Sequence, residues 1–133
     1  MKFLDTIRAR REARKFLSNL EKAAEKGSPV EITCMEVKEL MHNGGDFILL
    51  DVREQDEWDL VRLDGAVLCP MSDFLCDMEK LDNSKLIVAY CHRGIRSFQA
   101  MCILRNNGFP NVRNMTGGID LYARTVDTDM KRY

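Results

Sequence analysis

The sequence predicts an α/β domain over residues 29–133, with a mostly parallel sheet flanked by helices in three layers. Two apolar runs have the length of strands: Phe47–Val52, which is continuous until the charge of Asp51 near its end, and Leu86–Tyr90. Continuous rather than alternating hydrophobicity is typical of strands covered on both faces. Helical segments separate the strands, so the connections must be crossovers, which join parallel strands. We therefore expect ligands to bind at the carboxyl ends of the strands.

Residues 1–28 predict a basic, amphipathic helical extension ahead of this domain. Its apolar residues recur at helical spacing on one stripe: Ala13, Phe16, Leu17, Leu20 and Ala24. Gly27 and Pro29 end the pattern. The helix either docks on the domain through this stripe or binds a partner or a second copy, and the pattern leaves both open.

Within the domain, short strands and helices alternate. Thr33 and Glu36 form a capping box that begins a helix running through Met41. Ser97 can cap a later helix, which Gly108 ends. The remaining elements are a short strand near Ile32, a helix over 54–60, a strand over 66–69, a helix over 74–81, a strand at Val112 and a helix over 119–124.

Composition narrows the class of function. A chain of 133 residues with 45 % hydrophobic content fits one domain with a single core. The net charge of −1 gives no reason to expect nucleic acid. Five cysteines without a C-x-x-C pair indicate a reducing compartment. Because apolar runs are too short for a membrane span and no secretory signal is evident, we expect a cytoplasmic protein. Two isolated histidines predict no zinc site, and no cofactor is expected.

The segment Cys91–Ser97 joins a buried strand to a helix and is the strongest candidate for chemistry. A thiol there lies at the positive end of the helix dipole, beside inward-pointing amides and the Arg96 guanidinium, and all three favour the thiolate. Gly94 permits a tight turn, so the loop can cradle an anion. A lone cysteine after a strand is often an inert core residue. The glycine, arginine and serine that follow Cys91 favour a reactive one, and we assign the other four cysteines to packing: Cys34, Cys69, Cys76 and Cys102.

Four motifs in order over residues 46–124 resemble the single-domain rhodanese family: LLDVREQDEW, VRLDGAVLCP, IVAYCHRGIRS and GFPNVRNMTGGIDLY. The resemblance implies that Cys91 is a nucleophile that carries sulfur as a persulfide. It implies that a substrate-binding loop follows, made of His92, Arg93, Gly94, Ile95 and Arg96. Asp51 and Arg53 are expected to support the loop as a structural ion pair, with Ser97 as a further supporting residue. The implied partners are a small anionic sulfur donor such as thiosulfate and a thiol or protein acceptor.

Three other functions use the same fold. Phosphatases and arsenate reductases of this type have five residues between cysteine and arginine, whereas four residues stand between Cys91 and Arg96. The shorter loop suits one terminal sulfur better than a tetrahedral oxyanion, and no general acid is evident near it. Noncatalytic rhodanese-like binding modules form the third class, and loss of the cysteine would indicate one. Sulfur transfer is therefore the favoured prediction.

Overall fold

The computed structural model describes Arg11 and residues 30–133, and the latter form a five-stranded sheet between two helical layers. All strand pairs are parallel, in the order β1-β5-β4-β2-β3. The strands are β1 (Glu31–Ile32), β2 (Phe47–Asp51), β3 (Val67–Leu68), β4 (Leu86–Tyr90) and β5 (Val112–Met115). The helices are α1 (Cys34–His42), α2 (Gln55–Leu60), α3 (Phe74–Asp77), α4 (Ile95–Asn106) and α5 (Gly118–Thr125), with 3-10 turns at Met71–Asp73 and Met78–Lys80. The predicted fold class is confirmed for this part of the chain. The extension predicted over residues 1–28 lies, apart from Arg11, outside the described residues.

The two faces of the central strands supply separate apolar cores. Leu50 and Ile87 pack with α3 and α4 on one face. Leu49 and Val88 pack with α1 and α5 on the other. Burial on both faces explains why β2 up to Asp51 and β4 are apolar runs. Because β2 and β4 pair in parallel, their carboxyl ends lie at the same edge of the sheet.

The beginning of α1 follows the prediction, whereas that of α4 does not. Thr33 and Glu36 form the capping box, with reciprocal hydrogen bonds of 3.1 Å. Helix α4 begins at Ile95 after Gly94, which adopts a left-handed φ of 101°. The prediction that Ser97 caps α4 is wrong, because Ser97 lies inside the first turn and its hydroxyl bonds to other residues.

Two further expectations need correction. The helix predicted over 74–81 is one turn of α-helix, α3, followed by a 3-10 turn. Only Phe74 and Met78 of this segment are buried, so little packing holds a longer helix in place. Cys76 is exposed, so the packing role predicted for it is wrong, while the other cysteines are buried. None of the helices in the described residues has the length and hydropathy that a membrane span requires.

Candidate active site

The segment Cys91–Ser97, here called the cysteine loop, follows β4 directly at the carboxyl edge of the sheet. Cys91 is the first residue after the strand and is only 1 % exposed. The left-handed φ of Gly94 turns the chain sharply, so that α4 begins four residues after Cys91. The loop therefore curls around the sulfur and holds the thiol in a fixed position.

Three groups of the loop lie within hydrogen-bond distance of the Cys91 sulfur. The amide of Gly94 donates to Sγ at 3.1 Å and the amide of Ser97 at 3.4 Å. The Ser97 hydroxyl lies 3.3 Å from Sγ and 2.5 Å from Oδ1 of Asn114. The hydroxyl has a single proton, and the shorter contact to Oδ1, which can only accept, takes it, so the two amides are the donors to Sγ. The sulfur thus sits among donors that stabilise negative charge.

Asn114, at the end of β5, also holds the loop and was missed by the sequence analysis. Its amide nitrogen donates to the carbonyl oxygen of Gly94 and to the Glu31 carboxylate, both at 3.2 Å. Asn114 lies within the fourth motif, but nothing in its local sequence distinguishes it from a surface asparagine.

Arg96 is bound to a carboxylate that the sequence analysis did not single out. Its guanidinium makes a bidentate pair with Glu57 of α2, at 2.6 and 2.9 Å. This hydrogen-bonded pair, with a further bond from the Tyr133 hydroxyl, lowers the pKa of Glu57 to about 2. Glu57 raises the pKa of Arg96 above its ordinary value, and the nearby Cys91 adds a smaller contribution. The positive charge of Arg96 is therefore held near the sulfur but is largely balanced by Glu57.

Asp51 and Arg53 form the expected ion pair, at 2.8 Å and with both side chains fully buried. Burial alone would lower the pKa of Arg53, but hydrogen bonds to Asp51 and Tyr133 raise it above its ordinary value. The hydroxyl of Tyr90 donates to Asp51 at 2.7 Å, and Arg53 donates to the Val61 carbonyl oxygen at 2.6 Å. The pair therefore joins the ends of β2 and β4 to the chain after α2.

Tyr133 contacts both the cysteine loop and the buried ion pair. Its ring stacks on His92 with centroids 4.1 Å apart and planes 15° apart. Its hydroxyl accepts from Arg53 at 2.9 Å and donates to Glu57 at 2.7 Å. Burial is the main cause that raises its pKa to about 12, so the hydroxyl keeps its proton at neutral pH. No motif of the sequence analysis covered this residue.

The remaining predicted loop residues face outward. Arg93 is exposed, and Ile95 is 72 % exposed. The structure thus brings Cys91, Gly94 and Ser97 together and leaves the side chains of Arg93 and Ile95 at the surface. Among the described residues, no group of three histidine, cysteine or acidic side chains is placed to hold a metal ion.

The Glu57–Arg96 pair predicts a specific dependence of stability on pH. Because folding lowers the pKa of Glu57 from its ordinary value of 4.5 to about 2, the pair stabilises the folded state above pH 4.5 and less as the pH falls toward 2. We expect Glu57→Gln to cost about 1 kcal/mol at pH 7, a modest figure because solvent reaches about a third of the Arg96 side chain. Urea unfolding of wild type and Glu57→Gln at pH 7, 5 and 3 measures this difference in the free energy of unfolding. A cost as large at pH 3 as at pH 7 would contradict the assignment.

A parallel α/β domain with a buried cysteine at the carboxyl end of a central strand, followed by a tight loop and a helix, defines the rhodanese-like class. The family model for the rhodanese-like domain matches residues 33–125, and this chain belongs to that family. The solved structure of reduced Bacillus anthracis CoADR-RHD matches with a TM-score of 0.69 and 27 % identity, over 79 % of this chain and 18 % of that one. SSP1007 from Staphylococcus saprophyticus, a protein of similar size, matches with a TM-score of 0.67 and 26 % identity, over 77 % of this chain and 99 % of that one.

Curated relatives include enzymes of sulfur chemistry. The probable adenylyltransferase/sulfurtransferase MoeZ of Mycobacterium tuberculosis is 36 % identical over 112 residues, which is 83 % of this chain and 28 % of the relative. Adenylyltransferase and sulfurtransferase MOCS3-2 of Zea mays is 30 % identical over 109 residues, 77 % of this chain and 23 % of the relative. A tRNA uridine(34) hydroxylase of Erwinia tasmaniensis is 36 % identical over 83 residues, 58 % of this chain and 24 % of the relative. The chain spans about a quarter of the length of these proteins.

Proposed function

We propose that this domain is a sulfurtransferase that carries sulfane sulfur as a persulfide on Cys91. The observation that carries the proposal is the environment of Sγ, which lies among two amides and a hydroxyl in a loop that almost excludes solvent. Donors fixed in advance around a sulfur anion stabilise both the nucleophilic thiolate and a persulfide without reorganisation. The naming of MoeZ and MOCS3-2 as sulfurtransferases supports the same reaction class.

The reaction divides into two displacements. In the first, the Cys91 thiolate attacks the outer sulfur of a donor such as thiosulfate. The new bond joins Sγ to that sulfur, and the sulfur–sulfur bond of the donor breaks, its electron pair leaving with sulfite. In the second, a nucleophilic acceptor takes the outer sulfur, and the electron pair of the broken bond returns to Sγ. Neither step requires a metal or an external oxidant.

Incubation with thiosulfate is expected to add one sulfur atom to the protein. Cyanide or dithiothreitol should remove it, because both are nucleophiles that attack the outer sulfur. Cys91→Ser should abolish the adduct, because a serine hydroxyl cannot form a persulfide. Intact mass spectrometry before and after each treatment measures all three outcomes.

Cys76→Ser is the matched control, since Cys76 is the exposed thiol among the described residues. That variant should load sulfur as wild type does. An adduct that persists in Cys91→Ser and disappears in Cys76→Ser would move the chemistry to the exposed thiol and overturn the proposal.

The phosphatase alternative is tested on the same sample. Four residues stand between Cys91 and Arg96, and the Arg96 guanidinium is already paired to Glu57, so this guanidinium is not free to bind a phosphate ester. We expect no measurable hydrolysis of an aryl phosphate. Hydrolysis faster than sulfur transfer would replace the proposed function.

A further inference from the structure

An open, polar cavity of about 380 Å³ lies beside the cysteine loop and is not used by the chemistry proposed above. Three arginines from separate parts of the chain line it: Arg93 of the loop, Arg124 of α5, and Arg132 near the end of the described chain. Gly117 and Asp120 complete the lining. We call the three arginines the arginine cluster.

The arginine cluster carries more positive charge than its own carboxylate can balance. Asp120 is 8 % exposed and pairs with Arg124 at 3.3 Å and with Arg132 at 3.2 Å. Arg93 forms no ion pair with any described residue. Three guanidinium groups against one carboxylate leave a net charge of +2 at the cavity. About half of each Arg124 and Arg132 side chain remains accessible.

Helix α5, which lines part of the cavity, is hydrogen-bonded to the backbone of the cysteine loop. The amide of Ile119 donates to the carbonyl oxygen of Cys91 at 2.9 Å, and the amide of Asp120 donates to that of His92 at 3.0 Å. The first turn of α5 is thus bonded to the residue that carries the candidate nucleophile. A ligand held by Arg124 would therefore lie on a helix whose first turn is bonded to the backbone of the cysteine loop.

We propose that the arginine cluster docks a short acidic segment of a partner protein whose cysteine exchanges sulfur with Cys91. This inference rests on the proposed function and adds the class of partner. Several carboxylates along one segment can reach all three guanidinium groups, which hold carboxylates through paired hydrogen bonds. Ile95, two residues after Arg93 in the same loop, is an exposed apolar side chain that such a partner could also contact.

The charge of the whole domain favours a short acidic segment over nucleic acid. Residues 30–133 hold 12 Lys and Arg against 17 Asp and Glu, a difference of −5. A long polyanion would be attracted to the arginine cluster and repelled by the net negative charge of the rest of the domain. A short acidic segment interacts only with the positive charge of the arginine cluster and does not extend over the rest of the domain.

The transfer step needs only a proton from water, because loading leaves the Cys91 persulfide as an anion and the step begins from its protonated form. The partner's cysteine thiolate attacks the outer sulfur of the protonated Cys91 persulfide and forms a new sulfur–sulfur bond. The bond to Sγ breaks, and its electron pair remains on Sγ as the Cys91 thiolate. The outer sulfur and its proton leave on the partner's cysteine.

The test compares two synthetic peptides that share one cysteine and differ only in four Asp and Glu residues, replaced by Asn and Gln in the second. The persulfidated protein of 133 residues is mixed with each peptide at low salt, and loss of the sulfur adduct is followed by mass spectrometry. We expect the acidic peptide to react about tenfold faster, since each exposed charge pair contributes a few-fold. The advantage should shrink in 0.5 M salt because of screening. Binding of labelled, cysteine-free forms of both peptides to unloaded protein is measured in parallel.

The double variant R124Q/R132Q should lose the preference for the acidic peptide and still load sulfur from thiosulfate. R124K/R132K keeps the charge and should retain most of the preference, whereas K38Q/K80Q removes two exposed charges elsewhere and should behave as wild type. Equal rates and equal binding for both peptides, or a preference unchanged in R124Q/R132Q, would overturn the inference. Stronger competition by single-stranded RNA than by the cysteine-free acidic peptide would overturn it in favour of nucleic acid. Failure of wild type to load sulfur would instead reject the proposed function. The binding of the cysteine-free peptides to unloaded protein would then still show whether the arginine cluster docks an acidic segment.

Discussion

Arg53→Met is expected to lower the free energy of unfolding by about 3 to 5 kcal/mol, the range for breaking a buried ion pair by removing one partner. Neither Asp51 nor Arg53 has any exposed side-chain surface. Without the guanidinium, the carboxylate keeps, among the residues that the structure describes, only the hydroxyl of Tyr90 and one backbone amide. An unpaired buried charge is costly because water cannot solvate it. Since domains of this size have a free energy of unfolding of about 5 to 15 kcal/mol, the variant should remain folded, but with a small remaining free energy of unfolding.

Urea unfolding at 25 °C measures the loss, and Lys38→Met, on the exposed face of α1, is the control, with an expected change within about 0.5 kcal/mol. The double variant D51L/R53M should recover part of the loss, because it removes both charges. Recovery should be incomplete, since Arg53 also donates to the carbonyl oxygens of Val61 and Glu57. A loss below about 1 kcal/mol in Arg53→Met would show that the pair is far better solvated than its burial indicates.

The sequence predicted the elements whose signals are local. The apolar runs of β2 and β4 are long and continuous, and the capping box at Thr33 and Glu36 needs only four residues to be recognised. The position of Cys91 followed from the same reasoning, because the end of β4 is visible as the end of an apolar run. These features depend on neighbours in the chain, so a single sequence is enough to find them.

The supporting contacts of the loop depend on residues far apart in the chain, and these were not predictable. Glu57 lies 39 residues from Arg96, and Tyr133 lies 80 residues from Arg53. Glu57 stands in a helix rich in acidic residues, where nothing local separates it from Asp56 or Asp59. For Ser97 the local signal was present but misleading. A serine near the start of a helix favours a capping role, but the Ser97 hydroxyl instead contacts the side chains of Cys91 and Asn114. The helix instead begins at Gly94, whose left-handed backbone conformation is visible only in the structure.

Gly118→Ala is expected to reduce the rate of sulfur loading by about 100-fold or more, the effect of displacing reacting groups by roughly 1 Å. Gly118 has a positive φ of 63° and lies against the backbone of the cysteine loop. A Cβ atom there would stand 2.4 Å from the carbonyl oxygen of His92 and 2.6 Å from that of Cys91. Because both are backbone atoms, the loop itself must shift to make room. The displacement would lengthen the hydrogen bonds from Ile119 and Asp120 and would move the donors around Sγ.

Gly108→Ala separates this clash from the general cost of a left-handed alanine. Gly108 has a φ of 88° at the far end of α4, and no atom lies within 4 Å of the added Cβ. That control should lose about 1 to 2 kcal/mol of stability and load sulfur as wild type does. Loading rates are compared by mass spectrometry at a temperature where urea unfolding shows each variant to be folded. Wild-type loading by folded Gly118→Ala would mean that the loop tolerates displacement, and would contradict the view that fixed donors around Cys91 are needed for the chemistry.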